Sequence, residues 1–324
     1  MKVYTLDVDS SQRNPTLYAY ANSYVVRLDD PVYDVSKIEL VSARIPTPQR
    51  NVDVTNQTFS VSGVDVTLPA RDYANVHALS EALQTALAPP RTNVDAVTYA
   101  DDVLTFSNTA QYGHFTFEFY SGTRGYLSNT MVVTTPHQQM GFASDDYSSN
   151  VNYSLTSGAV DLAGPSALYL RLTAGSYDFK KVVHTGTPLY TGKILLDGSN
   201  YINFSGADDP VVHDLYTAPQ PVMDSLKIEF FYMSHGRLIP YDFRNIDHSL
   251  KFKITCSKDR LENLARYVEP EELVLPPPIK VEVNKNDLYK WVPIGVIIVV
   301  GILLMTFIGP RPRTPDPSGV SLSD

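Results

Sequence analysis

Cysteine is almost missing from this 324-residue chain, in which Cys256 stands alone. No intramolecular disulfide can staple the fold, and assembly in a reducing compartment fits. Basic residues are short as well, 26 Lys and Arg against 35 Asp and Glu. That balance argues against a duplex nucleic-acid partner, whose affinity comes from neutralised phosphates, and against bulk attraction to anionic headgroups. GxGxxG, P-loop and GxSxG motifs are absent, so no catalytic residue, cofactor or small-molecule substrate is expected. The seven histidines never recur at i, i+4, and no metal ligand set is expected. His235, Asp242 and His248 flank one turn-rich segment and would have to converge to hold a metal. The doublets Asp101-Asp102, Asp145-Asp146 and Asp208-Asp209 read as solvated turns. The opening MKVYTLDVDSSQ has no apolar h-region, so no signal peptide is expected. The sequons at Asn56, Asn152 and Asn203 are then expected to stay unmodified.

What is present first is a charge-free run, WVPIGVIIVVGILLMTFIG, from Trp291 to Gly309. As a helix it spans roughly 28 Å, close to the ~30 Å hydrocarbon thickness of a bilayer. A buried core helix of that length normally keeps a polar stripe, and this run has none. The run is therefore expected to be a single-pass anchor over 290–309. Its apolar body is Trp291, Pro293, Ile294, Val296, Ile297, Ile298, Val299, Val300, Ile302, Leu303, Leu304, Met305, Phe307 and Ile308. Tyr289 and Lys290 flank one end at headgroup level and Arg311 and Arg313 the other. Pro293 is placed in the first turn, where its missing N–H costs little. Ahead of the anchor stand 24 of the 26 basic and 33 of the 35 acidic residues, a net −9. With the anchor so late in the chain, insertion is expected to follow synthesis and to leave the larger part in the cytosol.

The larger part reads as all-β. Apolar or alternating runs recur at Val3–Val8, Ser23–Leu28, Ser36–Ser42, Thr58–Val61, Val64–Leu68, Val103–Phe106, His114–Phe119, Ala167–Leu172, Lys193–Leu196, Ser225–Tyr232 and Ser249–Cys256. They are punctuated by Asn, Asp, Gly, Ser and Pro, the pattern of a β-sandwich or jelly roll. One helix is predicted over Asn75–Leu87, from Val76, Leu79, Leu83 and Leu87, with Asn75 as N-cap. It is expected to lie as a lid on one sheet or barrel end. The head is placed at 1–257, either as one domain or as two lobes with a break near 141–150. Residues 258–289 form a stem with a short helix at Asp259–Tyr267 and a polyproline spacer at Pro276, Pro277 and Pro278. Residues 310–324 form a polar tail.

Several segments, taken in order, resemble the minor capsid proteins of large icosahedral DNA viruses with an internal membrane, the chlorella viruses and their relatives. They are LDVDSSQRNP, SYVVRL, VSKIELVSARIP, VTLPARDYANVHALSEALQTAL, GFASD, SALYLRL, GKILLD and the closing MDSLKIEFFYMSHGRLIPYDFRNIDHSLKFKITC. The likeness spans about residues 1–257 and rests on motif order. It implies that Asp7, Asp9, Ser10, Arg13, Pro46 and Tyr73 form structural motifs. It also implies a β-sandwich or jelly-roll protein beneath the outer capsid shell, with some members joined to the membrane by a hydrophobic segment.

Both lines lead to a membrane-anchored minor capsid protein linking the capsid shell to the inner virion membrane. Its expected partners are the major capsid protein, other minor capsid proteins and the lipid bilayer. The alternative is an outward-facing viral membrane protein for attachment or entry, and a third option is a tethered hydrolase or lectin-like binder using loops around Tyr147 or His235.

Overall fold

Alternating apolar residues become seventeen strands among the described residues of the computed structural model, which are 2–109, 113–127, 132–175, 177–179, 190–215, 219–257 and 288–307. The chain divides into two compact units, Met1–Asn263 and Leu264–Asp324. In unit 1 the order is β1 (Val3–Asp9), β2 (Ser23–Pro46), β3 (Thr58–Val61), β4 (Val64–Thr67), α1 (Val76–Leu87), β5 (Ala96–Ala100), β6 (Val103–Ser107), β7 (Thr116–Glu118), β8 (Asp146–Ser148) and β9 (Ser154–Ala159). It continues with β10 (Ala167–Ala174), β11 (Tyr177–Asp178), β12 (Gly192–Leu195), β13 (Tyr201–Ser205), β14 (Val211–Asp214), β15 (Gln220–Ser234), β16 (Arg237–Pro240) and β17 (Ser249–Cys256). Unit 2 contributes α2 (Leu288–Phe307).

β2 organises the larger lobe by belonging to two sheets. Its first half pairs antiparallel with β15, from Ser23↔Glu229 to Val35↔Gln220. Its second half pairs with β17 on one side and with β13 and β14 on the other. The switch falls at Val35, beside Asp34, whose φ of 52° turns the strand. Strands that change sheets do so through such bends and bulges. One sheet then reads β1, β17, second half of β2, β13 with β14. The other reads first half of β2, β15, β10, β12. In chain order these eight positions change sheet at every step but one, β10 to β12, as in a jelly roll. The two sheets share one core, with Val8, Ile38, Leu40, Phe252 and Ile254 from the first and Tyr24, Leu168, Leu170, Ile228 and Phe230 from the second.

The alternation read as two strands, Ser23–Leu28 and Ser36–Ser42, is thus one strand of 24 residues. Asp29-Asp30-Pro31 looked like a break. Pro31 stays within the strand because it sits at a bulged register, between Arg27↔Ser225 and Val32↔Met223, where no ladder N–H is needed.

Between β2 and β10 the chain inserts a second lobe with a separate core. β4, β3, β7 and β8 make one small sheet and β5, β6 and β9 another. Six phenylalanines fill the space: Phe59, Phe106, Phe115, Phe117, Phe119 and Phe142. Phe106 and Phe117 meet edge-on at 4.7 Å and 79°, a favoured aromatic geometry. Helix α1 closes this core with Leu79, Leu83 and Leu87. Asn75 Oδ1 accepts from Ala78 N at 2.9 Å, capping the helix as its sequence predicted. The sheet that this helix was expected to cover belongs to the inserted lobe, where α1 lies against β4, β5 and β6. Residues 141–150, expected to divide two lobes, lie within this one, with Phe142 and Tyr147 packed into its core. The chain passes between cores near 46–52 and again near 162–167.

Three hairpins use two-residue turns with both residues at positive φ: Ser62-Gly63, Asp101-Asp102 and His235-Gly236. This twist matches that of the flanking strands. It accounts for the Asp101-Asp102 doublet as a turn.

Candidate functional site: an apolar helix and two polar clusters

α2 is uniformly apolar around its circumference, and none of its 19-residue span Tyr289–Phe307 is buried. It is long and apolar enough to cross a bilayer. It carries Trp291, Pro293, Ile294, Val296, Ile297, Ile298, Val299, Val300, Ile302, Leu303, Leu304, Met305 and Phe307, with Tyr289 and Lys290 in its first turn. The helix starts at Leu288, so Pro293 lies inside it rather than in the first turn. One backbone N–H is lost there, a defect tolerated in membrane helices. Ile308, Arg311, Arg313, the spacer Pro276, Pro277 and Pro278, and the helix expected at Asp259–Tyr267 lie outside the described residues.

The first polar cluster joins the end of β1 to the start of β17. A short 3-10 turn, Ser10–Gln12, follows β1, and Asp9 Oδ1 accepts from Ser11 N at 2.9 Å. Hydrogen bonds from the Ser11 hydroxyl and then from Ser11 N hold the Asp9 carboxyl below the usual range. Ser10 is fully buried. Its hydroxyl donates to Asp247 Oδ1 at 2.8 Å and accepts from His248 N at 2.9 Å. Arg13 Nη1 reaches the same Asp247 oxygen at 2.6 Å and Ser10 O at 2.7 Å. His248 is enclosed by Tyr24, Phe230 and Phe243, and its Nε2 lies 2.9 Å from Tyr24 Oη. Burial pushes His248 down to about 4. Of the residues singled out by resemblance, Ser10 and Arg13 therefore meet, through a partner 237 positions away in sequence. Asp7 faces Lys251 at 3.5 Å on the surface. Pro46 ends β2 opposite Tyr201. Tyr73 is buried in the inserted lobe, with its hydroxyl donating to Pro69 O at 2.9 Å.

The second cluster is the seam between the two lobes. The tip of the β15–β16 hairpin enters the inserted lobe, and Arg237 donates to Gly125 O at 2.8 Å and Val133 O at 2.9 Å. Its guanidinium lies 4.4 Å from the Tyr126 ring centre, a cation–π geometry. Tyr126 Oη in turn meets Ser234 Oγ at 2.7 Å, and Tyr232 Oη meets Thr55 Oγ1 at 2.9 Å. His137 Nε2 lies 2.8 Å from His235 Nδ1. His137 Nδ1 faces the Thr135 carbonyl at 3.1 Å. The Thr135 hydroxyl lies 2.9 Å from the same nitrogen, so Nδ1 has both a donor and an acceptor beside it. Burial, with His235 adding to it, pushes His137 down to about 3.

The side chains of His235, Asp242 and His248 thus find different partners, His137, Arg244 N and Tyr24. Among the described residues, no three His, Cys, Asp or Glu side chains gather closely enough to hold a metal ion. Asn56 is buried, with its amide donating to Asn51 O at 2.9 Å, so the folded head cannot present that sequon. Tyr24, Tyr126, His137, Arg237 and Asp247 were not singled out from sequence. Only the order of two adjacent polar residues, Asp247-His248, after an aromatic turn hinted at one of them.

Residues 1–209 match the model of a family described as "Family of unknown function (DUF5901)". No curated protein matches the chain. Among solved structures, the mavirus penton protein is 11% identical, with 78% of this chain and 99% of that one covered at a TM-score of 0.34. The Sputnik virophage structure is 11% identical, with coverages of 78% and 98% and a TM-score of 0.33. Likenesses of this size carry no argument about function.

Proposed function

We propose that this chain, which belongs to the DUF5901 family, is a structural protein of a virion that ties a capsid shell to a bilayer. The observation carrying the reading is α2, a 20-residue apolar helix whose span has no buried part. Such a surface is stable only in a non-aqueous solvent. Unit 1 supplies the second support, since the jelly roll is an architecture used repeatedly for capsid subunits. The order of motifs resembling minor capsid proteins of large DNA viruses supports the finer assignment. In that assignment the head lies between the shell and the inner membrane, against the major capsid protein and other minor capsid proteins. Trp291, Tyr289 and Lys290 sit at headgroup level at one end of the span, and Arg311 and Arg313 do so at the other. Pro276, Pro277 and Pro278 stiffen the stem between head and lipid.

The test is flotation of the full chain with liposomes, compared with a chain lacking Trp291–Gly309. Full chain in the lipid fraction and a folded, soluble deletion variant are expected. A deletion variant that still floats would sink the reading. Antibodies against the head separate the two viral placements: binding to intact virions favours an attachment protein, and binding only after shell removal favours the link.

A further inference from the structure

The jelly-roll lobe has four strand edges among the described residues, β1, β12, β13 with β14, and the first half of β2, and three of them are blunted. The β13 and β14 edge is made of strands of five and four residues, and β12 has only four. The first half of β2 carries Asp29, Asp30 and Pro31 and a register shift against β15. Short strands, charges, proline and bulges are the usual means of keeping an edge from pairing. β1 has no proline and no bulge, and its only charges, Asp7 and Asp9, stand toward one end. Its seven residues pair with β17 in one unbroken register, from Val3↔Thr255 to Asp9↔Ser249. No described strand pairs with its other side. The residues VYTLDV hold neither Lys nor Pro, and Val3 and Tyr4 are 52% and 44% exposed. Beside this edge runs a groove of about 400 Å³ toward Tyr18, Tyr24 and Arg27, with the exposed Leu17 on its wall.

We infer that the free edge of β1 is an interface with a second copy of this chain, paired antiparallel with that copy's β1. The sequence is complementary to itself in this sense. Val8 faces the core, so Tyr4 and Leu6 share its side while Val3, Thr5, Asp7 and Asp9 face outward. A register centred on Thr5 sets Thr5 against Thr5 and Tyr4 against Leu6. Both are cross-strand pairs of the stabilising kind. Asp7 falls opposite Val3, so no two carboxylates confront each other. The pairing is a two-fold contact that closes after two copies and leaves no edge for a filament. It continues the sheet from one copy into the next. It holds whether or not the chain links a shell to a membrane, because α2 plays no part in it.

The test uses full-length protein in lipid nanodiscs, with Cys256→Ala as background. In the proposed register the two Thr5 Cα atoms lie roughly 5 Å apart, within disulfide range, while the two Val3 lie about 14 Å apart. Thr5→Cys should form a disulfide dimer on mild oxidation, and Val3→Cys should do so on the order of tenfold more slowly. Thr5→Lys, which sets two ammonium groups against each other, should move the mass from dimer to monomer. Equal cross-linking at both positions would overturn the inference, and so would a dimer that survives Thr5→Lys. A monomeric Thr5→Cys protein with unchanged thermal unfolding would overturn it as well.

Discussion

Unit 1 and α2 use the same apolar residue types under opposite conditions. Val35 and Ile45 in the head are fully buried, while Ile297 and Val299 in α2 are 69% and 58% exposed. In the head each apolar residue alternates with a polar one, so water covers one face and the core the other, as the pattern of β17 shows. In α2 no polar face exists, and no turn of the helix suits water. The lesson is that hydrophobic content alone does not tell core from anchor. The period does, because only a periodic pattern gives a segment two faces for two solvents.

The comparison can be broken from either side, and the largest effect is expected in the head. Phe117→Ala removes the ring that contacts Phe59, Phe106, Phe115, Phe119 and Phe142. It should cost about 3–5 kcal/mol of head stability, read by denaturant unfolding, and leave liposome flotation intact. Acid should act next, and again only on the head. His137 and His248 have folded-state values pushed to about 3 and about 4, below the ordinary 6.5. Stability is therefore full above pH 6.5 and is lost as pH falls, because the unfolded chain takes up protons that the fold refuses. At pH 5 the loss is about 2 kcal/mol per histidine. A flat stability between pH 7 and 5 would contradict the buried, neutral state of both rings. Val299→Asp tests the other side. It should cost about 3 kcal/mol of insertion, roughly a hundredfold in liposome partitioning, with the head's unfolding midpoint unchanged. The smallest effect is expected at Asn75→Ala, about 1 kcal/mol from the lost cap of α1, seen as a small shift in thermal unfolding.

Much of the strand content was legible because side-chain alternation is local. Thr58–Val61 and Ser249–Cys256 are found as predicted, and so is α1 with its Asn75 cap. Strands β13 and β14, with five and four residues, were not legible. They stand among turn-forming residues, Asp197–Asn200 before β13 and Gly206–Pro210 before β14, and they become strands by pairing with the distant β2. The polar clusters were hidden for a similar reason. Ser10 and Asp247 are 237 residues apart, and His137 and His235 are 98 apart. No spacing rule connects them.

By itself the sequence determined that one segment suits lipid, that the rest alternates as strands, and that a single helix starts at an Asn cap. These depend on period, length and charge within a dozen residues. Only the tertiary structure decided that β2 serves two sheets, that residues between β2 and β10 fold around their own core, and that no described strand pairs with the outer side of β1. Each of these depends on which distant strand lies alongside, and pairing energy is set by contacts across the fold, not by neighbours in the chain.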